Sequence, residues 1–111
     1  MSLAIWFVFI AAALLEVSGD AIVRRGLRGH GVAWILLGCA ALSLYALLVN
    51  SVKWDFSKLL GVYVAFFATV SVLFGRFVLQ ENVPATTWCG LALIVLGGLV
   101  IQFGHFWLSE S

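Results

Sequence analysis

Four long apolar runs, separated only by short polar links, leave this 111-residue chain little choice of fold. They cover about Leu3 to Val23, Gly31 to Asn50, Leu59 to Leu79 and Pro84 to Leu108. About 20 residues rising ~1.5 Å each cross the ~30 Å hydrocarbon core of a bilayer, so every run is long enough to span it. Helices are the expected spanning element. In hydrocarbon each backbone polar group must find its partner inside the segment, and the alternating polarity of a membrane barrel strand is absent. The links, at 24–30, 51–58 and 80–83, are short and make successive helices antiparallel neighbours. The expected fold is an all-α membrane protein, one domain over residues 1–111. It has four transmembrane helices in an up-down-up-down bundle, at about 3–23, 31–50, 59–79 and 84–108.

Composition agrees. The chain is 64% hydrophobic and 10% charged, against roughly 45–50% and roughly 25% in soluble domains. Six Lys and Arg scattered along a chain of net charge +1 make no basic stripe, so no nucleic-acid partner is expected. Cys39 and Cys89 fall inside apolar runs without ligand-like spacing and read as small buried hydrophobes. The first run lacks a basic leading region and carries acids where cleavage would occur, so it reads as a retained span. The tryptophans test the layout. If the N-terminus, second link and C-terminus share one side, Trp6, Trp54 and Trp107 lie at that interface and Trp34 and Trp88 at the other. Arg24, Arg25, Arg28 and Arg76 belong to one side, Lys53 and Lys58 to the other. Positive charge is retained inside, which puts the first and third links in the cytoplasm. The bias is small enough to leave insertion in both orientations open.

Two carboxylates interrupt the first run. Glu16 and Asp20 stand at i and i+4, on one helix face with Ala12, Ala13 and Gly19. An ionisable group at membrane depth is costly and marks a functional site by default. Glu16, the deeper one, is expected to exchange protons, and Asp20 one turn away couples to it. Arg24 continues the face, so the alternative for Asp20 is a structural ion pair with Arg24. Tyr45, Tyr63, Phe66 and Phe67 lie within the second and third runs. Beside a carboxylate they would hold a cation by cation–π attraction; singly, each reads as packing or lipid contact. Tyr63 is the favoured wall, because a buried hydroxyl needs a partner.

Gly90, Gly97, Gly98 and Gly104 let the fourth helix approach another closely, in the same chain or a second copy. Four helices enclose little volume, so a solute pathway requires at least a dimer. No metal-ligand cluster or glycine-rich phosphate loop is present, and His30 and His105 lie far apart in the layout. Neither an enzyme nor a cofactor or metal is expected.

The chain resembles the small multidrug resistance transporters of the drug/metabolite transporter superfamily. Its length with four helices carries the likeness, as do Glu16-Val17 followed by Arg24, and the stretch from Gln80-Glu81 through Gly90, Leu93-Ile94, Gly97 and Leu99-Val100-Ile101. The resemblance implies a homodimer or paired heterodimer in the bacterial inner membrane, exchanging protons for cationic solutes. It further implies that Glu16 binds proton and substrate in turn and that Gly90 and Gly97 make the dimer contact. The third helix departs. The family pattern Ala-Tyr-x-x-Trp-x-Gly-x-Gly is replaced by Gly61-Val62-Tyr63-Val64-Ala65-Phe66-Phe67-Ala68-Thr69, and Asp20 replaces an uncharged residue, marking a divergent member.

The expected function is a dimeric, proton-coupled exporter of small cationic or amphipathic solutes. Glu16 would be the shared site, Tyr63 a wall and Asp20 a modulator. A subunit of a lipid-carrier flippase is the first alternative, and a non-transporting subunit of a membrane complex the second.

Overall fold

The computed structural model describes residues 2–109, with side chains described as far as residue 104. The chain is all-α. Its helices are α1 (Leu3–Arg25), α2 (Val32–Val49), α3 (Phe56–Phe77) and α4 (Ala85–Ser109). Each is long and apolar enough to cross a membrane. They fold as two helical hairpins, one ending at Val52 and the other beginning at Lys53.

In the first hairpin, the Ile5 N–H donates to Ser2 Oγ (3.3 Å), capping α1. The C-terminal end of α1 does not stop at Arg25 but widens into a last turn, Gly26–His30. Gly29 (φ 108°) and Gly31 (φ 100°) then reverse the chain, in a backbone region that side chains rarely adopt. The Gly31 N–H donates to the Gly26 carbonyl (3.2 Å) and closes the turn.

Glycines set how closely the two helices of this hairpin approach. A Cβ on Gly38 would lie 2.8 Å from the Gly19 carbonyl oxygen and 2.9 Å from the Val23 nitrogen. One on Gly19 would meet Leu42, and one on Gly26 would meet Ile35. The pairs Gly26–Ile35, Val23–Gly38 and Gly19–Leu42 define an antiparallel register. Each turn back along α1 meets a turn forward along α2. Extended further, the register sets Glu16 against Tyr45 and Ala12 against Val49. Ala12 and Val49 are both completely buried, as that pairing requires. Without a hydrophobic drive between helices in lipid, such small-residue contacts supply the association.

The second hairpin is antiparallel too. Ile101 covers Gly61, Gly98 lies against Ala65, and the Glu81 carboxylate covers Gly75. Leu59, Val62, Tyr63 and Gly75 are its buried α3 residues. At its turn, the Val78 and Leu79 N–H groups donate to the Phe74 carbonyl and the Glu81 N–H to the Gly75 carbonyl (2.9 Å), around Gln80 at φ 56°. Pro84 stands just before α4, and its carbonyl accepts from Thr87 and Trp88.

Within the helices, the Ser43, Thr69 and Ser71 hydroxyls and the Asn50 amide donate to carbonyls three or four residues back. These polar groups are thereby satisfied locally. Gln102 differs: it is 7% exposed and its Oε1 accepts no hydrogen bond.

The four expected helices are present with shifted ends. α3 starts at Phe56 rather than near residue 59, because the polar Ser57 and Lys58 already belong to its first turn, where the Leu59 N–H donates to the Asp55 carbonyl (2.8 Å). Much of the expected first link is helical. Cys39 and Cys89 are exposed free thiols, not buried hydrophobes; Cys39 sits one residue past the seam residue Gly38 and so points away from α1. Trp6, Trp34 and Trp88 lie within two turns of a helix end, and Trp54 just before α3. The side chains of His105 and Trp107 lie outside the described residues.

Candidate functional site: an acid–tyrosine seam

The packed face of α1 runs through Phe9, Ala12, Ala13, Glu16, Gly19, Val23 and Gly26, the three-and-four spacing of one helix stripe. Glu16 is half-buried on that stripe, in the midst of its smallest side chains. Asp20, one turn on, is exposed. The half-buried Tyr45 of α2 lies within electrostatic reach of both carboxylates, in agreement with the helix register. One phenol thus lies near two acids in the first hairpin, with Glu16 facing it in the helix register.

Such a set has limited chemistry. A carboxylate there takes up a proton or pairs with a cation. The phenol donates a hydrogen bond, and its ring face attracts positive charge. Among the described residues no group of three or more His, Cys, Asp or Glu is placed to hold a metal ion.

The ion pair anticipated between Asp20 and Arg24 does not form. Among the described residues no salt bridge joins them, and Asp20 is exposed. Arg24 is exposed in the last turn of α1, and its long side chain is free to extend toward the membrane surface.

Tyr63 belongs to the second hairpin, buried at 3% exposure between its two helices, with Phe66 and Phe67 half-buried on the same helix. Tyr45 is the tyrosine that shares a hairpin with Glu16. Tyrosine chemistry is the same at both positions, and only the helix register separates them. Gly19, Gly26 and Gly38 were the sequence signal for that register. In α4, open space faces Gly90 and Gly97, while the close approach to α3 is made by Gly98, whose Cβ would lie 2.9 Å from that of Ala65.

The chain is 32% identical over 102 residues to a UPF0060 membrane protein of Pseudomonas paraeruginosa, covering 90% of this chain and 92% of that protein. A UPF0060 membrane protein of Nitrosospira multiformis is 33% identical over 101 residues, 88% of this chain and 90% of its own length. One from Kineococcus radiotolerans is 38% identical over 72 residues, 63% and 65% of the two chains. No protein-family model matches the chain. No solved structure matches it either. These relatives are bacterial, and four spanning helices make the chain an integral multi-pass membrane protein. With about a third of its residues identical over nearly the whole of both chains, it belongs to the UPF0060 membrane protein family.

Proposed function

We propose that the protein is a proton-coupled exporter of small cationic or amphipathic solutes, working as a dimer in the bacterial inner membrane. The observation that carries this reading is the half-buried Glu16 on the small-residue seam of α1, with Tyr45 across from it. One carboxylate cannot hold a proton and a cation together. The two compete for Glu16, and their differential affinity for inward- and outward-facing states drives exchange. Asp20, with no basic partner among the described residues, adds a second acidic group one turn toward the membrane surface. The likeness of Glu16-Val17 and of the Gln80 to Ile101 stretch to small multidrug resistance transporters supports the same assignment. The reading involves no enzymatic step and no cofactor.

A lipid-carrier flippase subunit is the second reading. What favours it is that Asp20 and Arg24, two exposed polar groups toward one end of α1, form no salt bridge among the described residues and so can contact a polar headgroup.

Proton release separates the two. Adding lipophilic quaternary cations to detergent-purified protein in weak buffer should release protons, and Glu16→Gln should abolish the release while leaving helicity unchanged. Absence of release with every cation of the panel would refute coupled exchange and leave the flippase reading standing.

A further inference from the structure

We infer that the turn joining α1 to α2 is a binding site for the phosphate-bearing headgroup of an anionic phospholipid. Arg24, Arg25 and Arg28 fall within five residues there, with His30 two further on, and all four side chains are exposed. No acidic side chain among the described residues forms a salt bridge with these arginines, Asp20, the nearest acid in sequence, included. Arg25 is held in place: its guanidinium stands 5.1 Å from the centre of the Trp34 ring. His30 packs edge-on against the same ring at 6.0 Å and 71°. Trp34 is half in and half out of its hairpin, at 36% exposure, in the first turn of α2.

Two of these features have plain uses by themselves. Arg24 and Arg25 suit the negative end of the α1 dipole, and basic links orient membrane proteins. Neither use requires one of three neighbouring arginines to be stacked on a tryptophan ring. Stacking removes much of the rotamer freedom of Arg25, and the widened turn carries Arg28 beyond the end of the regular helix. A tryptophan on a helix end sits at headgroup depth, which places the guanidinium groups level with lipid phosphates. Arginine meets phosphate through paired N–H donors, a geometry that lysine lacks. Basic surfaces beside spanning helices attract anionic lipid in just this manner. A free anion in solution is a poorer occupant, since it has no acyl chains to lie along the exposed Leu27, Val32 and Leu36.

The inference is independent of the transport reading and is tested separately. Full-length protein purified in detergent is titrated with short-chain phosphatidylglycerol or phosphatidylcholine, and bound lipid is counted by native mass spectrometry. Binding is expected to favour phosphatidylglycerol and to weaken with added salt. Each Arg→Gln substitution at 24, 25 or 28 should weaken it about fivefold, whereas Arg76→Gln in the second hairpin should leave it unchanged. Should a glutamine variant fail to purify folded, Arg→Lys at all three positions keeps the charge and tests the paired-donor geometry, with weaker binding expected. Equal retention of the two lipids, unchanged binding in the variants, or displacement of the lipid by millimolar inorganic phosphate would overturn the inference.

Discussion

A carboxylate inside a bilayer is costly, and Glu16 stands on the packed face of α1, where that cost is reduced. It lies half-buried on a helix stripe of alanine and glycine, with a phenol across from it in the helix register. Tyr45 supplies a polar tip and a ring face at once. The transport reading gives those two parts separable effects. Tyr45→Leu removes both and should weaken binding of a lipophilic cation about fivefold, for a cation–π contribution of ~1 kcal/mol. Tyr45→Phe keeps the ring and should retain most of that affinity. Fluorescence or calorimetric titration of the purified variants distinguishes the two. Equal affinities in Tyr45→Leu and the unmutated protein would reduce Tyr45 to packing. The acid was legible in the sequence because a charge within an apolar run stands out. The tyrosine across from it was not, because its importance comes from the register between two helices and not from its own composition.

Helices were legible for the same reason as the acid, since hydropathy alone separates about 20 apolar residues from a polar link. Hydropathy failed where polar residues adopt helical structure. Ser57 and Lys58 open α3, and Lys58 lays its ammonium over the Trp54 ring at 4.2 Å, so this lead-in is amphipathic rather than apolar. Arg25 to Leu27 likewise continue the helix past the last hydrophobic turn. Inside the first hairpin, Gly38 fixes how closely the helices approach. A methyl group there would press on the backbone of α1 at Gly19 and Val23, which cannot swing aside as a side chain tip would. Gly38→Ala should therefore cost about 1–3 kcal/mol, outweighing the roughly 0.8–1 kcal/mol that alanine gains over glycine in a helix. Thermal unfolding in detergent should show a lowered midpoint for Gly38→Ala and none for Gly90→Ala, where open space receives the methyl group. An unshifted Gly38→Ala midpoint would mean that the α1–α2 seam is looser than its glycine contacts imply.

At the scale of the whole molecule, the question is what faces the parts of α4 that its own hairpin leaves open. Gly90 and Gly97 are seven residues apart, hence two turns along one helix face. Among the described residues, nothing beyond their own helix backbone and chain neighbours comes within 4 Å of where their Cβ atoms would lie. Gly98, one residue along, turns toward α3 and meets Ala65 at 2.9 Å. The two adjacent glycines thus separate folding from association. Gly98→Leu should disrupt the second hairpin, because the added side chain must displace α3. Gly97→Leu adds the same volume where the hairpin has room, so helicity and unfolding midpoint should stay within ~0.5 kcal/mol of the unmutated protein. If a second copy packs on this face through close backbone approach, as the dimeric exporter requires, Gly97→Leu must push the two copies apart. Cross-linking in native membranes should then yield several-fold less dimer, with exchange activity falling in parallel. Undiminished cross-linking in Gly97→Leu would move the association surface off this face of α4, whatever the fate of Glu16.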